Sequence, residues 1–161
     1  MDIFFEEHRQ LLKLMVKHNV HFMLIGGLAV IHYGYERSTA DMDIWLETSE
    51  ENKVAFINAL HDFGITNEGI EHVEKIDFTR PFPVFFFGQK PRRIDFISLV
   101  QRVKFEEAYQ QVNHFFLDGI SIPIIQYHHL ILTKQFTGRL QDKADIEELQ
   151  RINKYRNDKK S

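Results

Sequence analysis

Between His21 and Leu46 the chain reads H-F-M-L-I-G-G-L-A-V-I-H-Y-G-Y-E-R-S-T-A-D-M-D-I-W-L, and this stretch restricts the architecture more than any other. Its apolar run, Phe22 to Ile25, stops at Gly26-Gly27 and resumes as Leu28-Ala29-Val30-Ile31, the pattern of a strand, a tight turn and a helix start. Two glycines let backbone N–H groups approach a ligand closely. At a helix N-terminus those N–H groups are unpaired, and the helix dipole favours an anion such as phosphate. Fourteen residues after Gly27 comes Asp41-Met42-Asp43-Ile44-Trp45-Leu46. Its period of two puts Met42, Ile44 and Leu46 on one face of a strand, with Asp41 and Asp43 on the other.

Two residues along a strand span roughly 7 Å, so at an effective dielectric near 20 the two carboxylates repel by about 2 kcal/mol. A cation relieves that repulsion. Hard oxygen ligands with no cysteine nearby suit Mg²⁺ or Mn²⁺, and Mg²⁺ is usually held by one or two carboxylates plus substrate phosphates. A phosphate cradle beside a carboxylate pair therefore points to phosphoryl or nucleotidyl transfer.

The 161 residues fit one domain, 1–161, with residues 126–153 as a C-terminal helical segment. Fifteen phenylalanines predict an aromatic-rich core. A net charge of −3 argues against a surface coated in positive charge for nucleic acid, while leaving room for a local basic patch. The lack of cysteine excludes disulfides, thiolate metal sites and a cysteine nucleophile. The N-terminal M-D-I-F-F-E-E-H-R is acidic where a signal peptide would be basic, and no apolar run approaches a membrane span, so a cytoplasmic location without membrane partners is expected.

In chain order, the apolar spacing predicts an amphipathic helix over 3–18 ended by Asn19, then the strand 21–25 and a short helix to about Tyr33 with Gly34 at its C-cap. A loop from Tyr35 to Ala40 leads into the strand 41–46. Thr48 or Ser49 can cap a helix that runs to about Phe63 and closes at Gly64. Residues 65–80 are polar and poorly periodic and read as loop, with room for a short strand. Val84 to Phe87 and Arg92 to Ile97 form a hairpin around Gly88-Gln89-Lys90-Pro91. A short helix over 104–111 follows, then a second hairpin flanking Asp118-Gly119 and ended by Pro123. Two helices close the chain, 126–137 and 140–153, before a basic tail that carries Lys154, Arg156, Lys159 and Lys160.

A bare D-x-D is also what a solvated strand face carries. Its context counts against that reading: Asp95 is a third carboxylate, set in an otherwise apolar strand, with Arg92 or Arg93 as an alternative partner to a metal. The glycine pair fits neither a P-loop nor a dinucleotide-binding fingerprint. The histidines, His32 and His128-His129 among them, lack metal spacing and read as ordinary polar or packed side chains. From spacing alone, Lys134 and Arg139 fit a solvated helix face as well as a phosphate contact.

Taken together, strand-Gly26-Gly27-helix, then Arg37-Ser38-Thr39-Ala40-Asp41-Met42-Asp43, then Asp95 in a later strand, resemble the nucleotidyltransferase superfamily that includes DNA polymerase beta. Within it the chain looks most like small bacterial nucleotidyltransferases related to abortive-infection toxins of the AbiEii type, with the pattern G-G/S, R-x-T-x-D-x-D and a third Asp. The C-terminal pattern K…R-x-K-D-x-x-D is met by Lys134, Arg139, Asp142 and Asp145, with Gln141 where a lysine is common. The resemblance implies an α+β fold, a mixed and mostly antiparallel sheet flanked by helices, that holds Asp41, Asp43 and Asp95 at one edge. It implies a transferase that needs Mg²⁺ or Mn²⁺ held by those three aspartates, and a nucleoside triphosphate such as ATP bound by Gly26, Gly27, Arg37, Thr39, Lys134 and Arg139. Asp95 is expected nearest the acceptor, as a base. The acceptor hydroxyl, on RNA, protein or a small molecule, is left open, as is a cognate antitoxin in a toxin–antitoxin or phage-defence setting. The competing class is a non-catalytic nucleotide-binding or regulatory protein that keeps the fold.

Overall fold

The fold was described from a computed structural model covering residues 4–39 and 41–160. Ile3, the expected start of the first helix, and Ala40 of the motif loop lie outside the described residues. Among those described, six strands form one sheet in the order β3-β4-β2-β1-β6-β5. The strands are β1 (Phe22–Ile25), β2 (Asp41–Leu46), β3 (Phe85–Phe87), β4 (Arg93–Ile97), β5 (Asn113–Leu117) and β6 (Ile120–Ile124). Pairs β1–β2, β3–β4 and β5–β6 are antiparallel, while β1–β6 and β2–β4 are parallel, which makes the expected mixed, mostly antiparallel sheet. No helix among the described residues is long and apolar enough to cross a membrane.

Helix α1 (Glu6–Lys17) buries His8, Leu11, Leu12 and Met15, and Asn19, with φ of 57°, turns the chain into β1. Helix α2 (Gly26–His32) follows β1 without a loop. Helix α3 (Glu50–Phe63) starts at Ser49, whose side chain accepts a hydrogen bond from the Asn52 N–H at 3.0 Å, and stops at Gly64 in the left-handed conformation. Between α3 and the β3–β4 hairpin the aromatic core forms: Phe85 meets the rings of Phe56, Phe82 and Phe96, with Phe85 and Phe96 centroids 5.1 Å apart, and Phe56 also meets Phe96. Edge and offset ring packing of this kind adds about 1 kcal/mol per pair beyond area burial.

The stretch 65–80 departs from expectation, because residues Asn67–Glu74 form a helix, α4. Thr66 caps it by accepting from the Gly69 N–H at 3.2 Å, and only Ile70 and Val73 are buried. Two apolar positions three apart are too few to show a period in so polar a segment. Helix α5 (Phe105–Gln110) is as expected, but β6 runs through Pro123 to Ile124, and helix α6 (Tyr127–Lys134) ends three residues early at the Gln135–Gly138 turn, where Phe136 takes φ of 66°. The last helix, α7 (Leu140–Lys160), continues well past Asn153, so the basic residues expected in a tail are helical. Its end is anchored by Arg156, which donates to the Tyr33 carbonyl at 3.3 Å beside Gly34.

Candidate active site

Residues Met42, Ile44 and Leu46 are fully buried under the sheet, which turns the alternate positions Asp41 and Asp43 to the opposite face, where both remain partly accessible. The parallel register of β2 and β4 sets Asp43 beside Asp95 and Asp41 beside Arg93. The carboxylates thus stand on two interior strands of the sheet, not at its edge. Two strands distant in sequence bring three acids and one arginine to a single patch.

A cleft of about 490 Å³ opens beside this patch. Gly26, Gly27, Arg37, Thr39, Asp41, Asp43, Lys134 and Arg139 line it; Asp95 does not. Gly26 holds φ of 70°, and a Cβ there would come 2.1 Å from Asp43 Oδ2. A Cβ on Gly27 would come 2.5 Å from Thr39 Oγ1, so the bare second glycine is what lets Thr39 lie against the turn. Gly26→Ala is accordingly expected to displace the Asp43 carboxylate and strain a left-handed residue by about 1–2 kcal/mol. Calorimetry with Mn²⁺ and a non-hydrolysable triphosphate should then find binding lost; affinity equal to the parent's would show that Asp43 has room to spare.

Asp43 is an acid with a strongly perturbed carboxyl. Burial, then the charges of Asp95 and Asp41, push its carboxyl up to about 6 from an ordinary 3.8, against the opposing pull of Lys134 and Arg139. Its neighbours are differently placed. The Arg93 guanidinium donates through Nη2 to Asp41 Oδ2 at 3.1 Å and to Asp95 Oδ2 at 3.2 Å. Its Nε lies 2.9 Å from Asp95 Oδ1, within ion-pair distance but without hydrogen-bond geometry. Asp41 Oδ1 and Asp95 Oδ1 are buried and lack a hydrogen-bond partner. Among the described residues no three His, Cys, Asp or Glu side chains converge as a ready-made metal site. The donor set is nonetheless all oxygen and includes two buried carboxylate oxygens without a hydrogen bond, one of them, Asp41 Oδ1, outside the ion pairs of Arg93, which fits a hard divalent cation.

The opposite wall is a buried charge network. Lys134 Nζ donates to Asp142 Oδ1 at 2.8 Å and to Asp145 Oδ2 at 2.9 Å. Arg37 forks onto Asp145 through Nε at 2.8 Å and Nη2 at 2.9 Å, and Gln141 Nε2 donates to Asp145 Oδ1 at 2.8 Å. Burial alone would raise the Asp142 carboxyl, but hydrogen bonds from Lys134 and Thr137 outweigh it and hold the pKa below the ordinary value. Arg139, whose side chain is 79% exposed and 3.4 Å from Asp142, stands at the rim. Arg37 and Lys134 are thus engaged within the protein while still lining the cleft, and Arg139 is the freer cation. Asp142 and Asp145 are the anchors of this wall.

A family model described as "Nucleotidyl transferase of unknown function (DUF2204)" matches residues 4–161. The chain belongs to this family. Membership agrees with the nucleotidyltransferase resemblance and places the chain among transferases by description. No curated protein matches it. The family match extends across both halves of the cleft, from the Gly26-Gly27 turn and the β2–β4 acids to the α6–α7 charge network. Arg93 is the neighbour that sequence reasoning left unchosen against Arg92. The period of two that puts Arg93 and Asp95 on one strand face is the signal that favours it; Arg92 pairs instead with Glu7 at 2.8 Å.

Proposed function

We propose that the chain is a metal-dependent nucleotidyltransferase that moves a nucleoside monophosphate from a nucleoside triphosphate to a hydroxyl acceptor. The observation that carries this reading is the polarity of one cleft: Asp41 and Asp43 on one wall, the bare Gly26-Gly27 backbone beside them, and Lys134 and Arg139 opposite. Acids alone would repel a triphosphate, and bases alone would not prepare a hydroxyl for attack. Asp41, Asp43 and Asp95 are the residues to hold Mg²⁺ or Mn²⁺, which when bound supplies charge neutralisation and lowers the pKa of a coordinated hydroxyl.

The chain's own groups do the remainder. Gly26 and Gly27, lacking side chains, admit phosphate oxygens to the backbone. Arg139 neutralises charge at the cleft mouth, and Lys134 contributes a positive field held in place by Asp142 and Asp145. Arg37 and Thr39 fix the segment that leads into Asp41. Asp95 takes the acceptor proton as the acceptor oxygen bonds the α-phosphorus and the α–β bridging P–O bond breaks, releasing pyrophosphate. The acceptor belongs to RNA, a protein or a small molecule, and in a toxin–antitoxin or defence setting a cognate antitoxin would restrain the transfer.

The test is incubation of the protein with labelled nucleoside triphosphates, Mg²⁺ or Mn²⁺, and extract of its own host. A labelled product is expected from the parent and not from Asp95→Asn, which should fold and keep much of its nucleotide affinity. Triphosphate binding without any labelled product would favour the non-catalytic nucleotide-binding alternative.

A further inference from the structure

We infer that Arg93 is an internal counter-cation that competes with the divalent ion for the carboxylate cluster, so that metal binding requires its guanidinium to leave Asp41 and Asp95. The inference rests on the metal-dependent reading above. One guanidinium spans both carboxylates, at 3.1 Å to Asp41 and 3.2 Å to Asp95, two of the residues that would hold the ion. It lies 5.1 Å from the centre of the Phe86 ring, which covers it from β3 and is itself 57% exposed. Lys90 is a second cation near Asp41, but at 4.0 Å and largely in solvent it does not bridge.

The arrangement explains why the acids do not converge as a ligand set although the β2–β4 register places them side by side. Each of Asp41 and Asp95 gives one oxygen to the Arg93 Nη2 hydrogen bonds and keeps Oδ1 buried without a hydrogen bond. Two like charges on neighbouring strands repel, and the guanidinium offsets this without an ion. The same contacts make the free cluster a poor metal site. A triphosphate shifts the balance, because it adds phosphate oxygens to the ion's shell and negative charge to draw Arg93 away. Metal and nucleotide should then bind with positive coupling through the side chain of Arg93.

The experiment is Mn²⁺ titration, by calorimetry and electron paramagnetic resonance, of the parent, Arg93→Gln and Phe86→Ala, each with and without a non-hydrolysable triphosphate. Without nucleotide, Arg93→Gln should bind Mn²⁺ at least about tenfold more tightly, since a site that is mostly occupied by its own cation loses apparent affinity by that fraction. Phe86→Ala keeps every charge, removes an exposed ring, and should give a smaller gain. In the parent, the Arg93 Nε–H resonance should lose its protection from solvent exchange when Mg²⁺ and triphosphate are added together. Equal Mn²⁺ affinity in parent and Arg93→Gln, or an Arg93 signal unmoved by saturating metal and nucleotide, overturns the inference while leaving the transferase reading intact. Failure of every protein to bind Mn²⁺ even with triphosphate overturns the metal-dependent reading, and this inference with it.

Discussion

Asp43→Asn should make the protein more stable and the transfer undetectable. In the folded chain the Asp43 carboxyl titrates near 6, against an ordinary 3.8, because burial and the charges of Asp95 and Asp41 disfavour its ionised form. Between these two values the folded state holds more protons than the unfolded state, so stability falls as pH rises through that window and stays low above it. The shift corresponds to about 3 kcal/mol at pH 8, and an uncharged isostere removes the penalty. For a chain of this size that is about 6–12 °C in melting temperature. The advantage of the variant should shrink as pH falls through that window and vanish below about pH 3, where the parent is protonated in both states. Adding Mn²⁺ with a triphosphate should raise the melting point of the parent and not of Asp43→Asn. A variant that melts at or below the parent at pH 8 would show that the carboxylate is structurally satisfied and the tension assigned to it absent.

Lys134→Met carries the largest expected loss. The ammonium is buried between Asp142 and Asp145, and Asp145 is fully shielded from solvent. Taking away one partner of a buried ion group leaves the others desolvated and under-compensated, which costs about 3–5 kcal/mol. Arg37 and Gln141 still reach Asp145, and Thr137 still reaches Asp142, so the low end of that range is expected. Urea melts read it directly, and the double variant Lys134→Met with Asp142→Asn should lose less than the sum of the single losses. An unchanged urea midpoint would mean that Lys134 serves only a phosphate and that the wall stands without it.

The parts of this molecule that could be read in its sequence are those with a local cause. Strand β2 announced its two faces because Met42, Ile44 and Leu46 alternate with Asp41 and Asp43, and buried and partly accessible positions follow that alternation. The turn at Gly26-Gly27 and the stop at Gly64 were marked by residues that tolerate left-handed angles. Helix α4 carries no such local mark, because its two buried positions, Ile70 and Val73, sit among solvated glutamates. The roles of Lys134 and Arg37 were hidden for a different reason. Both look like free cations in a string of letters, and only the packing of α7 shows that Asp145 takes both. The parallel alignment of β2 with β4 was likewise invisible, since it depends on which strands become neighbours, and with it the bridging position of Arg93.

The Arg37–Asp145 fork joins residues 108 positions apart. A ribosome adding roughly 5–20 residues per second needs about 5–20 s to make that distance. For that interval the segment leading into Asp41 has been synthesised while its anchor has not. The nascent chain can pair β1 with β2 early, yet the wall of the cleft built on Lys134, Asp142 and Asp145 arrives only with α6 and α7. The Arg37 side of the cleft is therefore completed later than its acids, and a chain interrupted before Asp145 leaves the ribosome with Asp41, Asp43 and Asp95 made and Arg37 without this carboxylate.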